Sequence, residues 1–170
     1  MKNNDGMTER DAGLVPFLRA AAEANSDGEL LVVPHWQRAD WETLFSYAQR
    51  AEVACGSVLI HRAAAGRTLY FVASGLLEVG SVAGSLGKNP IAMIHPGSVV
   101  GELSFLDGKP RAEEVRAVAD SSLYRLDVPD YQAFVDANPR KACDLAFAIG
   151  RVVALRLRRT LSLSRAEPRP

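Results

Sequence analysis

The chain is poor in the residues that metal and redox chemistry need. Its 170 residues hold two cysteines and three histidines. Cys55 and Cys143 form no CxxC pair and stand among apolar neighbours, which predicts buried thiols in a reducing compartment rather than a disulfide. His35, His61 and His95 are too scattered to make a zinc ligand set, so no metal site is expected. Neither sign of charge is in excess. The 20 Lys and Arg balance 20 Asp and Glu, and a formally neutral chain has no global field to steer it to nucleic acid or an anionic membrane. No apolar run reaches the roughly 18 residues of a membrane span. The polar start, MKNNDGMTERD, lacks the apolar core of a secretion signal. Together these absences predict a cytoplasmic protein. Catalytic signatures are missing too. No G-x-S-x-G elbow occurs. Gly87-Lys88 fails as a phosphate-binding P-loop, because Val82 stands where the leading glycine belongs and Asn89 where Ser or Thr is needed. Enzyme activity is therefore not expected.

What remains is an ordinary globular composition, 48% hydrophobic and 24% charged, with length for one well-packed domain. Leu14, Phe17, Leu18 and Ala21 share a helical face over about residues 12–22. A second helix is predicted over 39–50, with Asp40 as its N-cap and Trp41, Leu44, Phe45 and Ala48 on one side. Trp36 and Trp41 are read as core. From Glu52 the period shortens. Val53, Cys55, Val58, Ile60, Leu69, Phe71, Val72, Leu77 and Val79 fall in short segments split by turn residues, the pattern of a barrel or jelly roll. A Gly/Ser-rich hairpin loop at 80–89 and a strand at 91–94 follow. Residues 115–119 and 122–126 are predicted to close the barrel. Helices then return. One has Asp127 as N-cap and Pro129 in its first turn, and a longer one starts at Asn138-Pro139 and runs to about Leu161. Arg156, Arg158 and Arg159 near its end oppose the macrodipole, and a solvated helix end is the expectation for them.

The chain is organised around residues 97–117, GSVVGELSFLDGKPRAEEVRA. Gly101 permits close backbone approach. Residues 102–106 suit one short helical turn whose free N–H groups meet an anion. Arg111 offers a guanidinium fork for phosphate or carboxylate. The pattern predicts a pocket for a small anion bearing hydroxyls, with Glu102 reading the hydroxyls.

This spacing resembles the phosphate-binding cassette of the cyclic nucleotide-binding domain family: Gly101-Glu102-Leu103-Ser104-Phe105, then Pro110-Arg111-Ala112. The likeness extends back through Gly56-Ser57-Val58-Leu59-Ile60 and the run from Gly66-Arg67-Thr68-Leu69-Tyr70 to Gly75, and covers about residues 40–160. It implies an α+β fold: a double-stranded β-helix (β-roll or jelly roll) flanked by N-terminal helices and a long C-terminal helix. The implied division is 1–50 as a helical segment, 51–127 as the β-roll and 128–163 as C-terminal helices. About seven residues remain after the last helix, so the expectation is a stand-alone domain without the helix-turn-helix module of the family's bacterial transcription factors. The implied function is regulatory, non-catalytic binding of a cAMP-like ligand by Gly101, Glu102, Leu103, Ser104, Arg111 and Ala112. Ser104 and Ala112 would serve through backbone N–H groups. Guanine-selective members often carry Thr after the cassette Arg, so Ala112 implies cAMP over cGMP.

Two departures stand out. Ala63-Ala64-Ala65 replaces acidic residues and Gly, and Glu113 and Glu114 stand where the family has small residues and then Ser or Thr. Strand alternation from Val115 and Ala117 puts Glu114 on the ligand side with Ala112 and turns Glu113 away. On that geometry Glu114 repels phosphate and weakens binding, unless it pairs with Arg116 or Arg67. The alternative is a degenerate fold that takes no nucleotide and serves as a protein-interaction module. A cupin-like enzyme would need a His/Glu metal cluster, which is lacking. The stripe Leu145, Ile149, Val152, Val153 and Leu157 predicts a homodimer through the C-terminal helix.

Overall fold

The computed structural model describes residues 9–22, 29–80 and 90–166. The loop expected at 80–89 lies outside these beyond Gly80, as does the break at residues 25–28. Two long strands form the spine: β3 (Thr68–Gly80) and β6 (Glu114–Asp127) pair antiparallel along their whole lengths. β1 (Gln49–Val53) and β2 (Val58–Ile60) lie on β6, and β4 (Ala92–Ile94) and β5 (Val99–Val100) on β3, all antiparallel. This is the expected jelly-roll-like sheet with helices. Each long strand was read as two short ones. Register shifts between Val72 and Leu77 break the alternation without ending the pairing. Gly75 sits there at φ 87°, and a Cβ on it would lie 2.5 Å from the Asp120 carbonyl oxygen. Glycine lets the strand bend through that approach.

Alternation along the spine feeds two cores. Leu69, Phe71, Ala73, Tyr124 and Leu126 pack against the helices. Val72, Leu77, Val115, Ala117 and Leu123 turn into the roll with Ile60, Ile94 and Val100. On the helical side, α1 (Glu9–Ala22) delivers Phe17 and α2 (Arg38–Phe45) delivers Trp41 and Phe45. Phe45 stacks on Tyr124 at 4.1 Å between ring centroids, and Trp36 and Trp41 are core as expected. α2 is shorter than predicted, because the chain turns at Ser46 and enters β1 at Gln49. Its N-cap is Gln37. Asp40 instead sits one turn in, where its carboxylate accepts the Gln37 N–H at 2.7 Å and pairs with Lys141 at 2.9 Å. The Gln37 bond first, and Lys141 second, hold the Asp40 pKa below the usual carboxylate value.

α3 (Glu102–Asp107) is the short helix of the cassette, α4 (Val128–Ala137) follows β6, and α5 (Pro139–Ala166) is the long C-terminal helix. Asp127 is the N-cap of α4, as read, but its side chain makes no cap bond. It accepts from Thr68 and Arg125 instead. The cysteines differ from expectation: both are exposed and free. Cys55 falls on the turn after β1 and Cys143 on the outer side of α5, where neighbours in sequence are not neighbours in the core. Among the described residues, no helix is long and apolar enough to cross a membrane.

Candidate ligand-binding site

The mouth of the roll, α3 and the second half of α5 enclose a cavity of about 340 Å³, within the usual range for small-molecule sites. Its floor is apolar: Ile60, Val79, Ile94, Val100 and Val115. Its charged wall comes from the cassette and α5. All six expected ligand residues border it.

Gly101 explains the cassette's construction. It has φ 85° and caps α3. A Cβ there would lie 2.7 Å from both Arg111 Nη1 and the Thr68 carbonyl oxygen. Arg111 fills that space, donating from Nη1 to the Gly101 carbonyl at 3.0 Å and from Nη2 to the Thr68 carbonyl at 2.9 Å. Backbone bonds with Ala63 and Ala64 anchor its main chain. The Arg111 residue is 7% exposed. Burial pulls its pKa below the ordinary guanidinium value, while Tyr70, Glu102 and Asp127 pull the other way. A guanidinium stays charged under such shifts. Three of its five N–H donors take no described acceptor, which leaves a fixed cationic fork at the cavity wall.

Glu102 opens α3 and is buried, as is Ser104. Leu103 and Ala112 are exposed at the rim. Sequence reasoning missed the partner of Glu102. Arg156 of α5 reaches its carboxylate at 2.7 Å, pairs with Glu29 at 3.1 Å, and donates to the Val99 carbonyl at 2.8 Å. Arg159 holds the other Glu29 oxygen at 3.2 Å. Arg156 is therefore not a solvated helix-end charge; its side chain is only 17% exposed. A signal was present: Leu145, Ile149, Val152 and Arg156 follow one helical face, so the arginine continues the buried stripe where the core turns polar.

The two acidic residues change places. Glu114 does not border the cavity and pairs with Arg116, two residues on, at 2.8 Å. Glu113 borders the cavity beside Val115. The alternation holds, but Val115 faces the cavity itself, so its side of the strand is the cavity side. The dimer stripe changes as well. Leu145, Ile149 and Val152 are buried in the protein's own core, and Val153 and Leu157 border the cavity. What α5 leaves outside is another face: Cys143, Phe147, Gly150, Ala154, Leu157 and Leu161 are exposed, spaced alternately by four and three residues, with Phe147 79% exposed.

The antiparallel roll sets a buried arginine at the wall of a helix-covered cavity. The sequence match names the family. The description "Cyclic nucleotide-binding domain" matches residues 50–138, just over half of the chain, and the chain belongs to that family. The family is one of regulatory domains. The chain is 32% identical over 106 residues to the cyclic AMP receptor protein of Thermus thermophilus, a stretch that is 62% of this chain and 49% of that one. The crystal structure of the Thermus thermophilus catabolite activator protein superposes with a TM-score of 0.64 at 29% identity, over 76% of this chain and 60% of that one. A cyclic nucleotide-binding domain from Methylobacillus flagellatus superposes at 0.74 with 17% identity, over 92% and 85%, and shows the fold alone. The chain spans about half or less of the length of the curated relatives it matches.

Proposed function

We propose that this chain is a cytoplasmic, non-catalytic sensor that binds a cyclic nucleotide monophosphate in the cavity under α5. The observation that carries the reading is the buried Arg111, immobilised by two backbone carbonyls with donors to spare at the cavity wall. A cyclic phosphate takes the remaining donors as charge-assisted bonds. Ser104 and Ala112 border the same cavity, and in this reading their backbone N–H groups serve the same phosphate. Gly101 keeps the fork in place, Leu103 covers the rim, and Glu102 accepts from a sugar hydroxyl while the apolar floor receives the base.

Signalling follows from Arg156. It ties α5 to Glu102, the group that would read the sugar, so ligand at Glu102 and the position of α5 bias one another. The output surface is the exposed face of α5, which suits a second copy of this chain: Phe147 anchors it, and Gly150 and Ala154 let helices approach. Leu157 lies both on that face and at the cavity rim, so a dimer partner and a ligand share a residue. A second reading, a ligand-free interaction module, is favoured by Glu102 already being paired and by the carboxylate of Glu113 at the cavity.

Calorimetric titration with cAMP and cGMP separates the two. The proposal expects saturable one-to-one binding that falls by about tenfold or more in Arg111→Gln. Heatless titrations with both nucleotides, in a protein that melts cooperatively, would favour the interaction module.

A further inference from the structure

The stretch that joins α1 to α2 is fastened on two sides. Toward the roll its bonds use its own main chain. The Leu31 N–H donates to the Gly97 carbonyl at 2.8 Å, and the Ser98 hydroxyl donates to the Glu29 carbonyl at 2.6 Å. Toward α5 its partners are arginines. Arg151 donates to the Leu30 carbonyl at 3.3 Å. Arg156 and Arg159 each take one carboxylate oxygen of Glu29, at 3.1 and 3.2 Å. The side chains of Glu29 and Arg156 are 16% and 17% exposed, so this pair is not of the open surface kind that contributes next to nothing.

These contacts fall where the apolar anchoring of α5 stops. Leu145, Ala148, Ile149 and Val152 are buried. From residue 153 to residue 162 no side chain is buried. Yet this is the half of α5 that covers the cavity, through Val153, Arg156, Leu157, Arg159 and Thr160. A helix segment without buried apolar side chains opens locally at low cost, and its tertiary contacts decide whether it stays down.

We propose that Glu29 is a strap: it holds the second half of α5 over the cavity and so keeps Arg156 against Glu102. The strap goes beyond the cyclic-nucleotide reading and does not depend on it. The two sides of the stretch are unequal. The bonds to Gly97 and Ser98 use main-chain atoms and survive a change of side chain at position 29. The bonds to Arg156 and Arg159 need the carboxylate. When that charge is lost, the stretch stays on the roll and α5 loosens. Arg156 then keeps its bond to Glu102, the group that a ligand hydroxyl would contest. Glu29 gives Arg156 a second hold outside that contest. Coupling of this kind runs both ways. A pull on the stretch loosens α5, and displacement of α5 loosens the stretch, so the N-terminal part of the chain has a route to the cavity.

The test is hydrogen exchange, read by mass spectrometry on the ligand-free full chain, in wild type, Glu29→Gln and Glu29→Ala. Exchange over residues 153–162 is expected to quicken about tenfold or more in both variants, with residues 141–149 staying within about twofold of wild type. Glu29→Gln keeps the shape and serves if Glu29→Ala folds poorly. Unchanged exchange over residues 153–162 overturns the strap. So does quickening spread evenly along the chain, because that is lost global stability and not release of one helix half. A second measurement follows release of radiolabelled cAMP on dilution, which is expected to be about tenfold faster from Glu29→Gln than from wild type. Equal release from the two forms also overturns the strap. Wild type that takes up no cAMP counts against the cyclic-nucleotide reading, and exchange alone then decides the strap.

Discussion

Replacing Arg156 by Met is the most informative single change, because it removes the charge that joins α5 to the cassette and keeps most of the aliphatic stem. The arginine bridges Glu102 at 2.7 Å and Glu29 at 3.1 Å and donates to the Val99 carbonyl at 2.8 Å. Glu102 has a side chain only 8% exposed, so losing its cation strands a buried carboxylate. Breaking such a pair costs about 3–5 kcal/mol when both members are fully buried. Two features lower the figure here. Arg156 is partly open to water, and Glu29 keeps Arg159. About 2–3 kcal/mol is the expected loss. For a domain of this size that corresponds to a fall in Tm of roughly 4–12 °C. Urea unfolding should show the midpoint falling with an unchanged slope. The sharper measurement is a double-mutant cycle with Glu102→Gln, where the pair should couple by about 1–3 kcal/mol. A loss under about 1 kcal/mol together with additive single effects would refute the argument, since it would mean that α5 is held by its apolar stripe alone.

Two other outcomes follow from the same geometry. Gly101→Ala should destabilise the protein by about 1–3 kcal/mol, because the new Cβ meets Arg111 and Thr68 at positive φ; chemical denaturation checks this, and an unchanged midpoint would remove the steric account of the cassette. Phe147→Glu should convert a dimer at tens of micromolar to monomer in sedimentation while leaving the melting curve in place, since the side chain is 79% exposed; wild type that sediments only as monomer would dispose of the α5 interface.

Local chemistry determined much of this protein. The change of hydrophobic period near Glu52, the turn residues and the capped helices placed the roll and its flanking helices. The cassette was legible because Gly101, Glu102 and Arg111 act at short range: a glycine clears the space that an arginine ten residues on then fills. Trp36 and Trp41 went to the core because large apolar rings have nowhere better to go. What alternation along a strand cannot say is which of its two faces meets a core and which a cavity. That was decided when β6 paired with β3 under α5, and it put Glu113 rather than Glu114 on the cavity wall. Likewise the periodicity of α5 showed an apolar stripe but not its partner. Packing spent Leu145, Ile149 and Val152 on the protein's own core and left Phe147 outside. The join between Arg156 and Glu29 spans 127 positions. Contacts at that separation have no local signal, because their strength depends on shared burial, and burial exists only once the chain has folded.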